Sequence, residues 1–280
     1  MKPRIIKTAL IALVVILLAF ALWLGTRGKD MLRIATGSVS RGLCDAAFVS
    51  KVDPARVFRE QHAPMMHGIA WAIRWKVDRA HRQVSASVLG TFGTRSVFRP
   101  GLGCLLMHGD GPVPEAAGFT PTPIASPYPK HVVASDNPAI RAAITQAFAE
   151  PDPAHPRNTK AVVVLHHGRL IAERYAPGYG PDTPIWAHSL TKSLTSALIG
   201  ILVRQGKLRR EQPAPVDAWR SADDPRHAIT VNQLLRMDSG LPFDETNGVL
   251  SPLTRMIFLQ RDMAGYAARM PLAHAPGTVW

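Results

Sequence analysis

At 280 residues, 46% hydrophobic and 19% charged, the chain is long enough for one sizeable domain plus further segments, and too apolar to be disordered by composition. A formal charge of +13 raises nucleic acid or an anionic surface as partners. The lysines and arginines are scattered, however, and no basic block with interleaved aromatics occurs, so nucleic acid is set aside in favour of a generally basic surface.

Residues 1–30 carry the strongest local signal. Thr8 to Leu24 reads TALIALVVILLAFALWL without a charge, and Ile5 and Ile6 extend the apolar character past Lys7. About 20 apolar residues cross a bilayer core as a helix, so an uncleaved anchor is expected over residues 1–30, with residues 5–26 in the membrane. The competing reading is a cleaved signal peptide, whose shorter apolar stretch ends at a small-x-small site. Here the run ends Leu22-Trp23-Leu24-Gly25-Thr26-Arg27, without a clean Ala-x-Ala. Lys2, Arg4 and Lys7 precede it and Arg27, Lys29 and Arg33 follow, so the positive-inside rule leaves orientation open.

The two cysteines narrow it. Cys44 and Cys104 both follow the anchor, and an even pair in an exported protein favours a disulfide over two buried thiols. A bridge would close a loop of about 60 residues, worth roughly 4 kcal/mol by loop entropy. The body is then expected in the periplasm, on a single-pass protein of the inner (cytoplasmic) membrane.

A small α+β module is expected over residues 31–108. Asp53 to Gln61, DPARVFREQ, reads as a short helix capped by Asp53 with Pro54 at its first position. Gln83 to Leu89 alternates, and Ser96 to Phe98 and Leu105 to Met107 read as further short strands. His62, Met65, Met66 and His67 fit no strong metal-ligand template; a methionine-containing loop packed on the body is expected instead. Gly109 to Pro129 is proline-rich and aperiodic, which makes residues 109–134 a linker.

Asp136 to Glu150, DNPAIRAAITQAFAE, restarts order and opens a last domain over residues 135–280. Asp136 or Asn137 caps, Pro138 opens the helix, and Ile140, Ile144, Ala147 and Phe148 form its apolar stripe. Ala161 to Leu165 and Leu170 to Arg174 are strands joined across His166-His167-Gly168-Arg169, with Gly168 in the turn. Neighbouring strand side chains face opposite ways, so the two histidines are expected as solvated turn residues that do not converge on an ion.

The second half is organised around His188 to Gly206, HSLTKSLTSALIGILVRQG. Leu190, Leu194, Ala197, Leu198, Ile201 and Leu202 fall on one stripe, which predicts an amphipathic helix packed on a core. It starts near Ser189 and ends near Gly206, a residue suited to a left-handed stop. Ser189 and Lys192 lie three apart in the first turn, on one face, with Cβ atoms about 5–6 Å apart.

A serine hydroxyl attacks only when a neighbouring base takes its proton, and lysine serves when part of it is neutral. Burial and the positive end of the helix dipole both push Lys192 that way, and unpaired N–H groups at the helix start suit an oxyanion. Ser189 is therefore the candidate acyl-accepting nucleophile and Lys192 its proton partner. The bland alternative is an N-capping serine followed by a solvated lysine, because Ser-x-x-Lys arises by chance about once in a chain this long. No other serine here has a lysine three residues on. His188, beside the candidate nucleophile, is the weaker candidate base, histidine being the residue type whose charge changes near neutral pH.

Arg209 to His227 reads as irregular surface. Thr230-Val231-Asn232-Gln233 is a capping box that opens a helix through Met237. Ser239 has nothing basic at helical spacing and is no rival nucleophile. Leu253 to Leu259 and Met263 to Met270 suggest two further helices.

These residues also carry a family resemblance. AVVVLHHGRLIAERYAPGYG and TPIWAHSLTKS, with ITVNQLLRMDSGLPFDE (Ile229 to Glu245) and PLAHAPGTVW (Pro271 to Trp280), resemble the serine β-lactamase and D,D-peptidase superfamily. Within its class C-like branch they look most like 6-aminohexanoate-dimer hydrolases and related periplasmic esterases and amidases. The resemblance covers roughly the second half of the chain. It implies an α/β (α+β) fold, an antiparallel sheet flanked by helices with an all-α portion, and Ser189 and Lys192 as the catalytic pair.

In that family a tyrosine follows the Pro-Gly turn within a few residues, and a Lys/His-Thr-Gly-type motif comes much later. Neither is in this sequence, so the chain is expected to be incomplete at its C-terminus and weakly active or inactive alone. The implied function is a membrane-anchored serine hydrolase that cleaves an amide, ester or lactam through an acyl-enzyme on Ser189. The alternative is a non-catalytic binding or sensing relative. No metal or organic cofactor is implied, the expected partner is a small-molecule or short peptide or amide substrate, and oligomeric state is left open.

Overall fold

The computed structural model describes residues 12, 13, 15, 23–66, 68–114, 125–245 and 248–280. Most of the expected anchor, residues 5–26, lies outside the described residues, as do the middle of the linker and His67. Among the described residues no helix is long and apolar enough to cross a membrane. The chain divides into two compact units, one of residues 35–185 and one of residues 186–280 with the described residues before Ala35.

A helix absent from the sequence reading shapes the first unit. α1, Lys29–Cys44, runs on through a π-helical stretch, Asp45–Ser50, and stops at Lys51 in the left-handed conformation. Ala35, Val39 and Leu43 recur every four residues and are buried. The interspersed Gly37, Ser38, Ser40 and Gly42 are weak helix formers that obscured this pattern in the sequence.

The buried face of α1 packs on a four-stranded antiparallel meander of β1 (Ile73–Asp78), β2 (Gln83–Val88), β3 (Thr91–Arg99) and β4 (Gly103–Met107). Of these, β1 was not anticipated, while β2 falls on the alternating stretch, with Val84 and Ala86 facing the core. Cys44 and Cys104 form a disulfide between the end of α1 and β4. Beside it the buried Asp45 accepts from the backbone N–H of Cys104 at 3.3 Å and from Arg41 Nε at 3.1 Å. Asp53 caps a short helix, Pro54–Val57, through the N–H groups of Ala55 and Arg56.

Three elements that follow the linker also belong to this unit. α2 spans Pro138–Ala147, with Asn137 as its cap. β5 (Ala161–His166) and β6 (Arg169–Tyr175) form a separate antiparallel hairpin. Glu60 ties the hairpin to the module, because it accepts from both Lys160 and Arg56. Burial alone would push its carboxyl up, but those two hydrogen bonds hold it below the ordinary glutamate value. Arg56 and Lys160 also both lie over the Tyr179 ring, at 5.6 and 5.8 Å from its centroid.

The hairpin turn corrects one expectation. His167 has φ 49° and Gly168 φ 75°, so His167 is not in strand geometry and its ring lies 4.0 Å, centroid to centroid, from that of His166. Alternation fails at a left-handed residue. Both histidines remain exposed, as a turn predicts.

In the second unit α3, Leu190–Arg204, ends before Gly206, which takes φ 70°. Its bounds agree with the reading, but its environment does not: Leu190, Leu194, Leu198, Ile201 and Leu202 are exposed and the helix has no buried residue. Period specifies which residues share a face; whether that face meets a partner is decided by the tertiary arrangement. A second correction concerns Arg209 to His227, where Trp219 is buried in a small core with Ala214 and Ile229.

α4 (Val231–Arg236) starts at the capping box of Thr230 and Gln233 and stops at Met237 with φ 60°. α5 (Pro252–Leu259) and α6 (Met263–Ala268) follow. Arg226 joins them to the core by donating to the carbonyls of Ala268 and Met270 at 2.8 and 2.9 Å while held bidentate by Asp224.

Candidate active site

Ser189 is the N-cap position of α3, with helical φ −66° and ψ −12° and no capping hydrogen bond from its side chain. Its hydroxyl is thus not consumed by the helix start, unlike the hydroxyls of Thr230 and Ser251. One turn on, Lys192 donates from Nζ to Ser189 Oγ at 2.9 Å. The helix brings the pair together as the spacing predicts, and proton exchange between the two groups needs no rearrangement of the backbone.

Three features of the site differ from the expectation. Lys192 is not buried: its side chain is 51% exposed. The N–H groups of Leu190, Thr191 and Lys192 donate to the carbonyls of Ala187, His188 and Ser189, at 2.9, 3.1 and 3.0 Å. A tight turn at the helix start commits them, so they do not form an oxyanion pocket in this arrangement. His188 stacks edge-on against Trp186 at 5.1 Å, in a left-handed conformation with φ 42°. A non-glycine residue held there stores strain directly before the candidate nucleophile.

Sequence reasoning missed Glu245. Its Oε1 lies 3.6 Å from Lys192 Nζ, making Ser189, Lys192 and Glu245 a chain of three polar groups. Nothing in the spacing marks it, because 53 positions separate it from the lysine.

Two of the segments that carried the resemblance, 229–245 and 271–280, meet each other. The carbonyl of Gly240 accepts from Ala273 and His274 at 2.9 and 3.1 Å, and that of Asp238 from Gly277 at 2.7 Å. A Cβ at Gly240, where φ is 79°, would stand 2.2 Å from the His274 carbonyl oxygen, so only glycine fits the crossing. Ser239 supports its own loop through Leu241 N–H at 3.4 Å.

Residues 142–280 match the family described as Beta-lactamase. The match takes in just under half of the chain, and over that segment the chain is similar to the Beta-lactamase family. The mixed α/β architecture, with antiparallel strands and helices, agrees with the assignment. Over 87 residues the chain is 29% identical to 6-aminohexanoate-dimer hydrolase of Paenarthrobacter ureafaciens, an alignment covering 31% of this chain and 22% of that protein. The chain thus spans about a fifth of the length of that relative. In the Beta-lactamase segment, Ser189 and Lys192 open its longest described helix.

Proposed function

We propose that the protein is a membrane-attached serine hydrolase of the β-lactamase-related type, with Ser189 as nucleophile and Lys192 as proton acceptor. The observation that carries the reading is the 2.9 Å contact between Lys192 Nζ and Ser189 Oγ on the opening turn of α3. Attack requires the neutral amine, which accepts the Ser189 proton as Oγ bonds to the substrate carbonyl carbon. Collapse of the tetrahedral adduct breaks the bond to the leaving amine or alkoxide, which takes a proton from Lys192. Water then cleaves the acyl-enzyme.

The substrate class is an amide, ester or lactam, and the 6-aminohexanoate dimer after which that relative is named falls within it. The apolar run Thr8 to Leu24 supports attachment to the inner membrane through residues 5–26, and the Cys44–Cys104 disulfide supports a body in the periplasm. The committed N–H groups of Leu190, Thr191 and Lys192 favour a second reading, a non-catalytic binding relative. Labelling with a fluorescent acylating probe, followed by peptide mapping, separates the two. Acylation of Ser189 that disappears in Ser189→Ala supports the hydrolase; an unlabelled wild type, or labelling indifferent to Ser189→Ala, refutes it.

A further inference from the structure

The sheet β1–β4 has two unlike ends. At the far end Asp78 and Gln83 are joined by Arg79-Ala80-His81-Arg82, where His81 pairs with Asp78 at 2.7 Å; Leu102 is the one large apolar side chain exposed in the turns there. At the near end β1 begins, β2 turns into β3 through Leu89-Gly90, and β4 finishes at Met107. There Trp71 is 70% exposed, Leu89 60% and Met65 57%, with Ile69 exposed beside them. The Leu89 N–H donates to the Ala72 carbonyl at 2.9 Å and exposed Arg74 donates to the Trp71 carbonyl at 3.0 Å, so the turn, the loop and a cation share one tip.

Leu89 is costly where it stands. It has φ 47° and Gly90 φ 83°, a two-residue turn that ordinarily takes Asn or Asp before Gly. A leucine there bears roughly 1–2 kcal/mol of backbone strain, and its side chain packs against nothing that buries it. The near end is also where the chain enters the unit. α1 runs alongside β3 in the same direction: Thr36 Oγ1 donates to the Phe92 carbonyl at 2.9 Å, Ser40 Oγ lies 3.1 Å from both Thr94 Oγ1 and Ser96 Oγ, and Cys44 is bonded to Cys104 opposite Phe98. Within the unit, α1 therefore begins at the exposed tip and not at the polar end, and the apolar run Thr8 to Leu24 precedes α1 in the sequence.

We infer that the tip formed by Met65, Ile69, Trp71 and Leu89 rests in the interfacial layer of the bilayer, with Arg74 at the lipid phosphates. Tryptophan favours that layer because its ring is apolar and its N–H polar. The aliphatic side chains enter the acyl boundary, and arginine pairs with phosphate. The tip is thus a second, peripheral contact that orients the 35–185 unit on the membrane. It rests on the attachment proposed above.

The test uses the full chain reconstituted in vesicles of three parts phosphatidylcholine to one part phosphatidylglycerol, with and without brominated acyl chains as tryptophan quenchers. Trp23 and Trp71 are the two tryptophans placed at the lipid, so the quenched emission of Trp71→Phe is expected to fall by about half. Residues 65–66, 68–72 and 86–92 are expected to gain hydrogen-exchange protection in vesicles over dilute detergent, and to lose it in Leu89→Asn. If the chain floats with vesicles but Trp71→Phe leaves the quenched emission unchanged, the tip inference falls and attachment stands. If the chain does not float, both fall. Protection that appears in detergent and rises with protein concentration assigns the tip to a second copy and overturns the lipid contact.

Discussion

Acid should loosen the 35–185 unit through one histidine. His62 is 2% exposed, with Nδ1 3.4 Å from Ser38 Oγ and Nε2 without a partner among the described residues. Burial pushes its pKa down from 6.5 to about 4. Above pH 6.5 the ring is neutral folded or unfolded and costs nothing. Between pH 6.5 and about 4 the unfolded chain takes up a proton that the folded chain refuses, so stability falls with pH, and the loss is complete near pH 4. At about 1.4 kcal/mol per pH unit the loss is roughly 3 kcal/mol, a large share of an ordinary domain's margin.

The assay is urea unfolding at pH 7.5 and pH 4, read by hydrogen-exchange mass spectrometry over residues 36–44, for wild type, His62→Gln and His62→Leu. Carboxylates titrate in every variant, so the difference isolates the histidine. Wild type is expected to lose about 3 kcal/mol more than His62→Gln on acidification. Equal losses in wild type and His62→Gln would refute a buried neutral ring.

Other perturbations test other levels of the structure. Reducing the Cys44–Cys104 bridge, which closes a separation of 60 residues, should destabilise the same unit by roughly 4 kcal/mol, read as the urea midpoint with and without reductant. Thr230→Ala removes one half of a capping box and should cost about 1 kcal/mol, seen as lost exchange protection over α4. Gly240→Ala should unseat the 271–280 segment, whereas Gly248→Ala, whose nearest new contact is 3.5 Å, should be tolerated; equal protection in both would count against the tight crossing. Glu245→Gln removes an exposed partner of Lys192. It should change the rate of Ser189 labelling by an acylating probe by no more than about fivefold, as suits a half-exposed ion pair.

Local codes were legible in the sequence and long-range ones were not. Asp53, Thr230 and Gly206 announce helix ends because a cap is a contact within four residues, and Ser189 meets Lys192 because one helical turn sets their distance. α1 escaped because glycine and serine dilute its period, whereas β1 was missed although Ile73, Trp75 and Val77 alternate with Arg74, Lys76 and Asp78 and face the core. Glu245 and the Gly240 crossing had no sequence signal, being contacts between segments whose spacing no local rule sets.

The sequence by itself determined the turn that joins Ser189 to Lys192, the elements on either side of it, the paired cysteines and the likeness of residues 142–280 to the Beta-lactamase family. Only the tertiary structure decided that Lys192 stands half in water beside a carboxylate, that the first-turn N–H groups are already bonded, and that the stripe of α3 is exposed. The physical reason is range. Hydrogen bonding and side-chain period act over one turn, but solvation depends on every atom that comes within a few ångströms, and most of those arrive from distant parts of the chain.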